Sequence, residues 1–134
     1  VTRKISNNIA KIKLGKISKF SLGSLEPRRD WGYAGDYVKA MWLMLQADEP
    51  DDFVVATGTA YSVRDFVQFS FEHVGLDWEK YVKYDDRYER PTEVDALIGD
   101  SSKAESVLGW KAKVLTPELA TIMVDADVAA LHLQ

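Results

Sequence analysis

At 134 residues the chain has room for one domain with a real core and none for a second of ordinary size. With 46% hydrophobic and 28% charged residues it has the make-up of a folded globular protein, and no apolar run reaches bilayer-spanning length, so a membrane role is not expected. There is no cysteine, which excludes a disulfide framework and a thiolate metal site, and no basic-then-apolar leader marks secretion; the reading is a cytoplasmic protein.

The net charge of −4 conceals an asymmetry. Residues 1–29 carry eight Lys or Arg against the single Glu26, giving +7, whereas residues 30–134 carry nine against twenty, giving −11. A pI near 5.2 argues against a nucleic-acid binder, which shows a basic domain rather than a basic end. A small anionic ligand fits the pattern better.

In chain order, VTRKISNNIAKIKLG places Ile5, Ile9 and Ile12 at i, i+4 and i+7, which predicts an amphipathic helix stopped by Gly15. With no initiator Met and no capping residue before it, a helix beginning at residue 1 reads as a chain cut from something longer. Ile17 to Leu22 reads as a short strand. A turn at Glu26-Pro27 then leads through Arg28 and Arg29 into a helix over Ala34 to Ala47. That helix is apolar almost all round, through Tyr37, Val38, Met41, Trp42, Leu43, Met44 and Leu45, and so is predicted to be buried. Arg28 and Arg29 thus stand where a loop enters a core element, a place from which a guanidinium fork can be aimed at phosphate or carboxylate. The alternative is that one of them only pairs with Asp30 or Asp36 at the surface.

Ala47 to Asp52 is an acidic loop, and Phe53 to Thr57 an apolar run of strand length without alternation, which predicts burial on both faces. Ser62 and Asp65 make a capping-box start to a helix with Val63, Phe66, Val67, Phe71 and Val74 on one side and Gly75 at its end. A third strand is expected at Tyr81 to Tyr84. The charged run from Asp85 to Glu93 cannot be core, so Arg90-Pro-Thr-Glu93 is displayed on a loop before the apolar segment Val94 to Ile98. Ser101 or Ser102 caps a helix reaching Leu108. Thr116 caps the last one, with Pro117 at its first position and Leu119, Ile122, Met123, Ala126 and Ala130 as its buried stripe. Alternating helices and strands predict an α/β fold in which helices dominate. His73 and His132 sit late in helices and receive no role, no metal ligands are assigned, and neither a G-x-G-x-x-G nor another catalytic motif is present.

The stretches VTRKI, SLG, RRDWGYAGDYVKAMWLMLQ, FVVATG, YSVRDFV, RPTEVD, GDSSKA and LGWK together resemble the C-terminal portion of the GDP-mannose 4,6-dehydratases, which are extended short-chain dehydrogenase/reductases. The resemblance covers essentially the whole chain, although the region from Asp77 to Arg87 is shorter than in many members. It implies that residues 1–134 form one helix-rich nucleotide-sugar-binding domain. The Rossmann half that binds NADP and carries the catalytic groups is absent from this chain. The family reaction makes GDP-4-keto-6-deoxymannose from GDP-mannose, a lyase step of GDP-fucose biosynthesis, and the fragment alone is expected to be inactive.

Site residues follow from the same resemblance. Arg29 and Arg90 match positions that hold the diphosphate, Glu93 one associated with the ribose hydroxyls, and Lys4 one near the guanine, with the backbone of Val1 and Thr2 lining the base pocket. No catalytic residue is assigned. The implied partners are GDP-mannose, the N-terminal Rossmann half and further copies in a homo-oligomer of the full enzyme. Two other readings stand beside this one: a related nucleotide-sugar epimerase or reductase, and a non-catalytic interaction module.

Overall fold

Among residues 1–133, which the computed structural model describes, helices and short strands alternate in an α/β arrangement. Three helices carry the main core. In α1 (Thr2–Lys13) the isoleucine repeat faces inward, with Ile5, Ile9 and Ile12 all buried. The chain leaves it through Gly15 at φ 69°, a left-handed turn that glycine makes without strain. The second core helix, α3 (Val63–His73), opens with the predicted capping box: Asp65 N–H donates to Ser62 Oγ at 3.0 Å, and Ser62 N–H donates to Asp65 Oδ2 at 2.8 Å. Its Phe66, Val67 and Phe71 meet Ile5 and Ile9 of α1 and the buried Ala120 and Val124 of α5 (Thr116–His132).

Two small sheets are attached to these helices. Strands β1 (Phe20–Leu22) and β4 (Val82–Tyr84) run parallel, Phe20 opposite Val82 and Leu22 opposite Tyr84. The Phe20 ring stacks on Phe71, which ties this sheet to α3. In the second sheet β2 (Arg28–Arg29) lies between β3 (Tyr61–Ser62), antiparallel, and β5 (Ala96–Leu97), parallel. From β2 the chain passes into α2 (Ala34–Gln46), which packs against α4 (Ser102–Leu108) and Trp110 in a smaller second cluster. No helix among the described residues is long and apolar enough to cross a membrane.

Several expectations need correction. α2 is not a buried helix. Ala40 alone is fully covered; Tyr37, Leu43 and Met44 face Trp110 and Leu108, while Val38, Met41, Trp42 and Leu45 stand in the open, Leu45 at 82% exposure. A helix apolar on both sides needs two covering elements, and α4 with its following loop supplies one. The Phe53 to Thr57 run is not a strand, since it joins neither sheet. It is held by side-chain packing instead, Ala56 lying so close to Gly99 that a Cβ there would stand 2.2 Å from the Ala56 methyl.

The buried face of α5 is also rotated from the predicted stripe. Leu119 is inside, but Ala126 and Ala130 are exposed and the inward positions are Ala120, Val124 and Asp127. Asp127 is 1% exposed. It accepts the Ser6 hydroxyl at 2.6 Å on Oδ2 and pairs through Oδ1 with Arg3 at 2.8 Å, so a carboxylate expected on the wet face fastens α5 to α1. Two caps differ as well. Thr116 is itself the first residue of α5, and its hydroxyl donates to the Trp31 carbonyl at 3.2 Å; at α4 neither serine side chain caps, and Asp100 Oδ1 accepts from Ser102 N–H at 2.9 Å.

Candidate functional site

The twin arginines form the central strand of the second sheet, and their side chains leave it in different directions. Arg28 Nη2 donates to the Ala60 carbonyl at 2.8 Å. Arg29 reaches toward the loop that precedes β5: Nη1 donates to Val94 O at 2.7 Å and to Arg28 O at 2.7 Å, and Nη2 is paired with the Glu93 carboxylate. Residues 64 positions apart are thereby joined. Neither arginine pairs with Asp30 or Asp36.

Asp30 has a different duty. Its Oδ1 accepts from the Thr57 N–H at 2.9 Å and the Thr57 hydroxyl at 2.6 Å, while Oδ2 accepts from the N–H groups of Gly58 at 2.9 Å and Gly99 at 3.2 Å. A carboxylate can satisfy four donors in this way, and here they come from two separate segments. The residues that follow are equally committed. Trp31 packs edge-on against Phe66, and Gly32 leaves space for the Tyr37 hydroxyl, which a Cβ would meet at 1.9 Å. That hydroxyl is pushed above its ordinary range by burial and then by the carboxylates of Asp30 and Asp36.

Of the other predicted residues, Arg90 and Glu93 lie on the loop from Asp85 to Glu93, and Lys4 reaches it from α1. Lys4 projects from α1 over the ring of Tyr88, its Nζ 3.4 Å from the centroid. The loop is braced at its start, where Asp85 accepts from Arg87 Nη2 at 2.6 Å, and the Arg87 guanidinium holds the Asp85 carboxyl below its usual value. The Tyr88 carbonyl crosses so near Gly23 that any side chain there would strike it, at 2.7 Å. Arg90 follows, exposed and without an ion pair among the described residues. Val1 is the residue before α1, and its carbonyl accepts from Ile5 N–H at 3.1 Å. One loop therefore carries Lys4's partner at one end, Arg90 in the middle and Arg29's partner at the other. No hydrogen bond or ion pair among the described residues links Val1 to that set.

A cleft of about 360 Å³ opens beside Gly23, lined by Leu22, Leu25, Arg64, Trp78, Tyr84 and Glu89 among others. It contains none of the residues singled out from the sequence. Arg64 pairs with Glu26 at its edge and lies over the Trp78 ring, and the Glu89 carboxylate hydrogen-bonded to the Tyr84 hydroxyl pushes that phenol up to about 12. Among the described residues no group of three His, Asp or Glu side chains is placed to hold a metal ion.

As chemistry, the arrangement offers a guanidinium fixed by two carbonyls and a carboxylate, a second guanidinium free for an anion, and a cation parked on an aromatic ring. It suits binding and orientation. Sequence reasoning missed Asp30 and Tyr88 as parts of it. The signal for Asp30 was its place directly after an arginine strand, where an acidic side chain can reach neighbouring backbone N–H groups; for Tyr88 no short-range signal existed, since its partner is on α1.

The chain is similar to known proteins along most of its length. A family model described as GDP-mannose 4,6 dehydratase matches residues 1–123. GDP-mannose 4,6 dehydratase 1 of Arabidopsis thaliana is 54% identical over 128 residues, covering 96% of this chain and 36% of the relative. The GDP-mannose 4,6 dehydratase of Homo sapiens is 52% identical over 149 residues, covering 98% and 40%. The chain thus spans about two fifths of the length of these relatives. Among solved structures, RMD from Pseudomonas aeruginosa complexed with NADPH superposes with a TM-score of 0.85 at 17% identity, over 97% of this chain and 42% of that one. A UDP-glucose 4-epimerase from Thermotoga maritima with UDP-glucose gives 0.75 at 25% identity, over 98% and 40%. The backbone arrangement is shared with about two fifths of each of these larger chains.

Proposed function

This chain belongs to the GDP-mannose 4,6 dehydratase family, and from that membership we propose that it is the nucleotide-sugar-binding part of an enzyme converting GDP-mannose to GDP-4-keto-6-deoxymannose. The observation that carries the reading is the loop Asp85 to Glu93, which brings Tyr88 under Lys4, presents Arg90 and meets Arg29 through Glu93. In this reading Arg90 and the remaining N–H groups of Arg29 receive the diphosphate, where a guanidinium supplies paired donors at little ordering cost. Glu93 keeps one oxygen on Arg29 and turns the other to the ribose hydroxyls. Lys4 donates to an acceptor on the base, with the backbone of Val1 and Thr2 beside it.

The nicotinamide cofactor belongs elsewhere. A dinucleotide needs a Gly-rich turn from strand to helix to receive its pyrophosphate, and the connections here do not fit one: α3 starts directly at β3 with Arg64 and Asp65 in its first turn, and the approach to α2 is filled by Trp31 and Tyr37. RMD from Pseudomonas aeruginosa, of which this chain covers 42%, is described in complex with NADPH, which supports a nicotinamide cofactor held by the larger remaining part. When bound there, the oxidised nicotinamide would take up the hydride that leaves C4 and give it back at C6; the residues of this chain hold and orient the sugar nucleotide for that exchange.

Two measurements test the proposal. Titration of GDP and of UDP into the full-length protein should show a clear preference for GDP, and an equal or reversed preference would favour an epimerase-type nucleotide sugar instead. Purified residues 1–134 should not turn over GDP-mannose, and detectable 4-keto product would overturn the assignment of the chemistry to the rest of the protein.

A further inference from the structure

We propose that Asp30 is a positioning residue for the nucleotide-binding loop, acting on Arg90 and Glu93 without touching the ligand. The inference rests on the reading above. Segment 93–99 is held against β2 at three levels. At its start Arg29 grips Glu93 and Val94; in the middle Arg28 N–H donates to Asp95 O at 2.8 Å and β5 runs alongside β2; at its end Asp30 Oδ2 accepts the Gly99 N–H. Arg90 makes no ion pair among the described residues, so its place is set by the held segments on either side of it, Glu89 against Tyr84 before it and residues 93–99 against β2 after it.

The third clamp is tied to a further one. The carboxylate that receives Gly99 also receives Thr57 and Gly58, so the Thr57–Gly58 turn and the end of the loop strand, which lie against each other, are registered on one side chain. Gly99 can come this close because it has no Cβ, since one would stand 2.2 Å from the Ala56 methyl. Asp30 accepts four hydrogen bonds and donates none, a set that only an ionised carboxylate matches. An asparagine must point its amide N–H₂ at two of the four donors, which breaks either the Thr57 pair or the Gly58–Gly99 pair.

The test is a double-mutant cycle for GDP affinity in the full-length protein, with Asp30→Asn and Arg90→Ala alone and together. Asp30→Asn is expected to weaken GDP about tenfold, the scale for a misplaced binding group. In the Arg90→Ala background the same change should cost clearly less, about threefold, because one of the two side chains it positions is gone; independent sites would be additive. Thr57→Val removes one donor and keeps the carboxylate, should show the same coupling at smaller amplitude, and serves if Asp30→Asn does not fold. Additive losses, or a lowered melting temperature with unchanged affinity, would show that Asp30 serves the fold alone. If instead Arg90→Ala leaves GDP binding intact, the nucleotide reading itself fails, and that outcome is distinct from failure of Asp30→Asn by itself.

Discussion

The indole N–H of Trp110 donates to the backbone carbonyl of Asp36 at 2.8 Å, across 74 residues of chain. Asp36 returns the contact, its Oδ2 accepting the N–H groups of Lys113 and Val114, each at 2.9 Å. The first turn of α2 is thereby fixed to the segment before α5. Trp110→Phe keeps the packing on Ala40 and Tyr37 but leaves that carbonyl without its donor, and should lower unfolding free energy by about 1–2 kcal/mol. Trp110→Ala also empties the pocket and should cost about 3–5 kcal/mol. Denaturant midpoints of the two variants decide this; a Trp110→Phe midpoint equal to wild type would mean the hydrogen bond contributes nothing measurable.

Arg29 and Arg90 should separate by a stability measurement before any ligand is added. Arg29→Ala releases Glu93 and the Val94 carbonyl and should destabilise the chain by about 1–3 kcal/mol, whereas Arg90→Ala, at an exposed position, should stay within about 0.5 kcal/mol of wild type. Both should weaken GDP by about 2–4 kcal/mol, and Arg→Lys should rescue only in part because an ammonium lacks the fork. In the full-length protein the loss should fall mainly on KM, with kcat less affected. Unaltered GDP affinity in both Ala variants would reduce these arginines to structural and surface charges.

The open face of α2 predicts behaviour in solution. Val38, Met41, Trp42 and Leu45 follow one another at i, i+3, i+4 and i+7, a continuous apolar stripe on the exposed side. Residues 1–134 by themselves should therefore self-associate, and Trp42→Glu with Leu45→Glu should disperse them while shifting stability by less than about 0.5 kcal/mol. Sedimentation velocity over a range of concentrations reads the outcome. A monodisperse wild-type monomer at every concentration would contradict the argument.

Tyr84 offers a test by pH. Its hydroxyl is hydrogen-bonded to Glu89 and its pKa is raised from 10.0 to about 12, so the protonated phenol is favoured in the folded chain. A folded-state value above the unfolded one contributes stability fully below pH 10 and loses it as pH climbs toward 12. Tyrosinate absorbance should show Tyr84 titrating late beside the raised Tyr37, and the Tyr84 component should be lost in Tyr84→Phe and returned toward the ordinary range in Glu89→Gln. A Glu89→Gln titration identical to wild type would sink the pairing.

Where a short-range rule decided an element, the sequence was legible. The Ile5–Ile9–Ile12 repeat, the Ser62–Asp65 capping box and the glycines after α1 and α3 act within one helix turn, and these elements formed as read. Long-range partners decided the rest. Composition cannot say how many neighbours a helix has, so the apolar residues of α2 do not reveal its open face. The burial of Asp127 depends on Ser6 and Arg3, which make it tolerable and lie at the other end of the chain. At the site, the residues taken from the resemblance proved to include one joined pair, Arg29 with Glu93, and one cation on an unforeseen ring, Lys4 on Tyr88. That Asp30 would bind three backbone N–H groups rather than an arginine could not be read from its neighbours, since two of its donor segments come from far along the chain.

The hydrogen bond between Ser6 and Asp127 spans 121 residues, and with it α1 and α5 form facing walls of one core. Without α5, α1 and α3 have one side bare, and closing a separation of 121 residues is the step that removes that surface from water. Folding of this unit waits on its last helix. Until Val124 and Asp127 are in place, Ile5, Ile9 and Phe66 are open to other apolar partners, and truncation before α5 is expected to leave the unit unfolded.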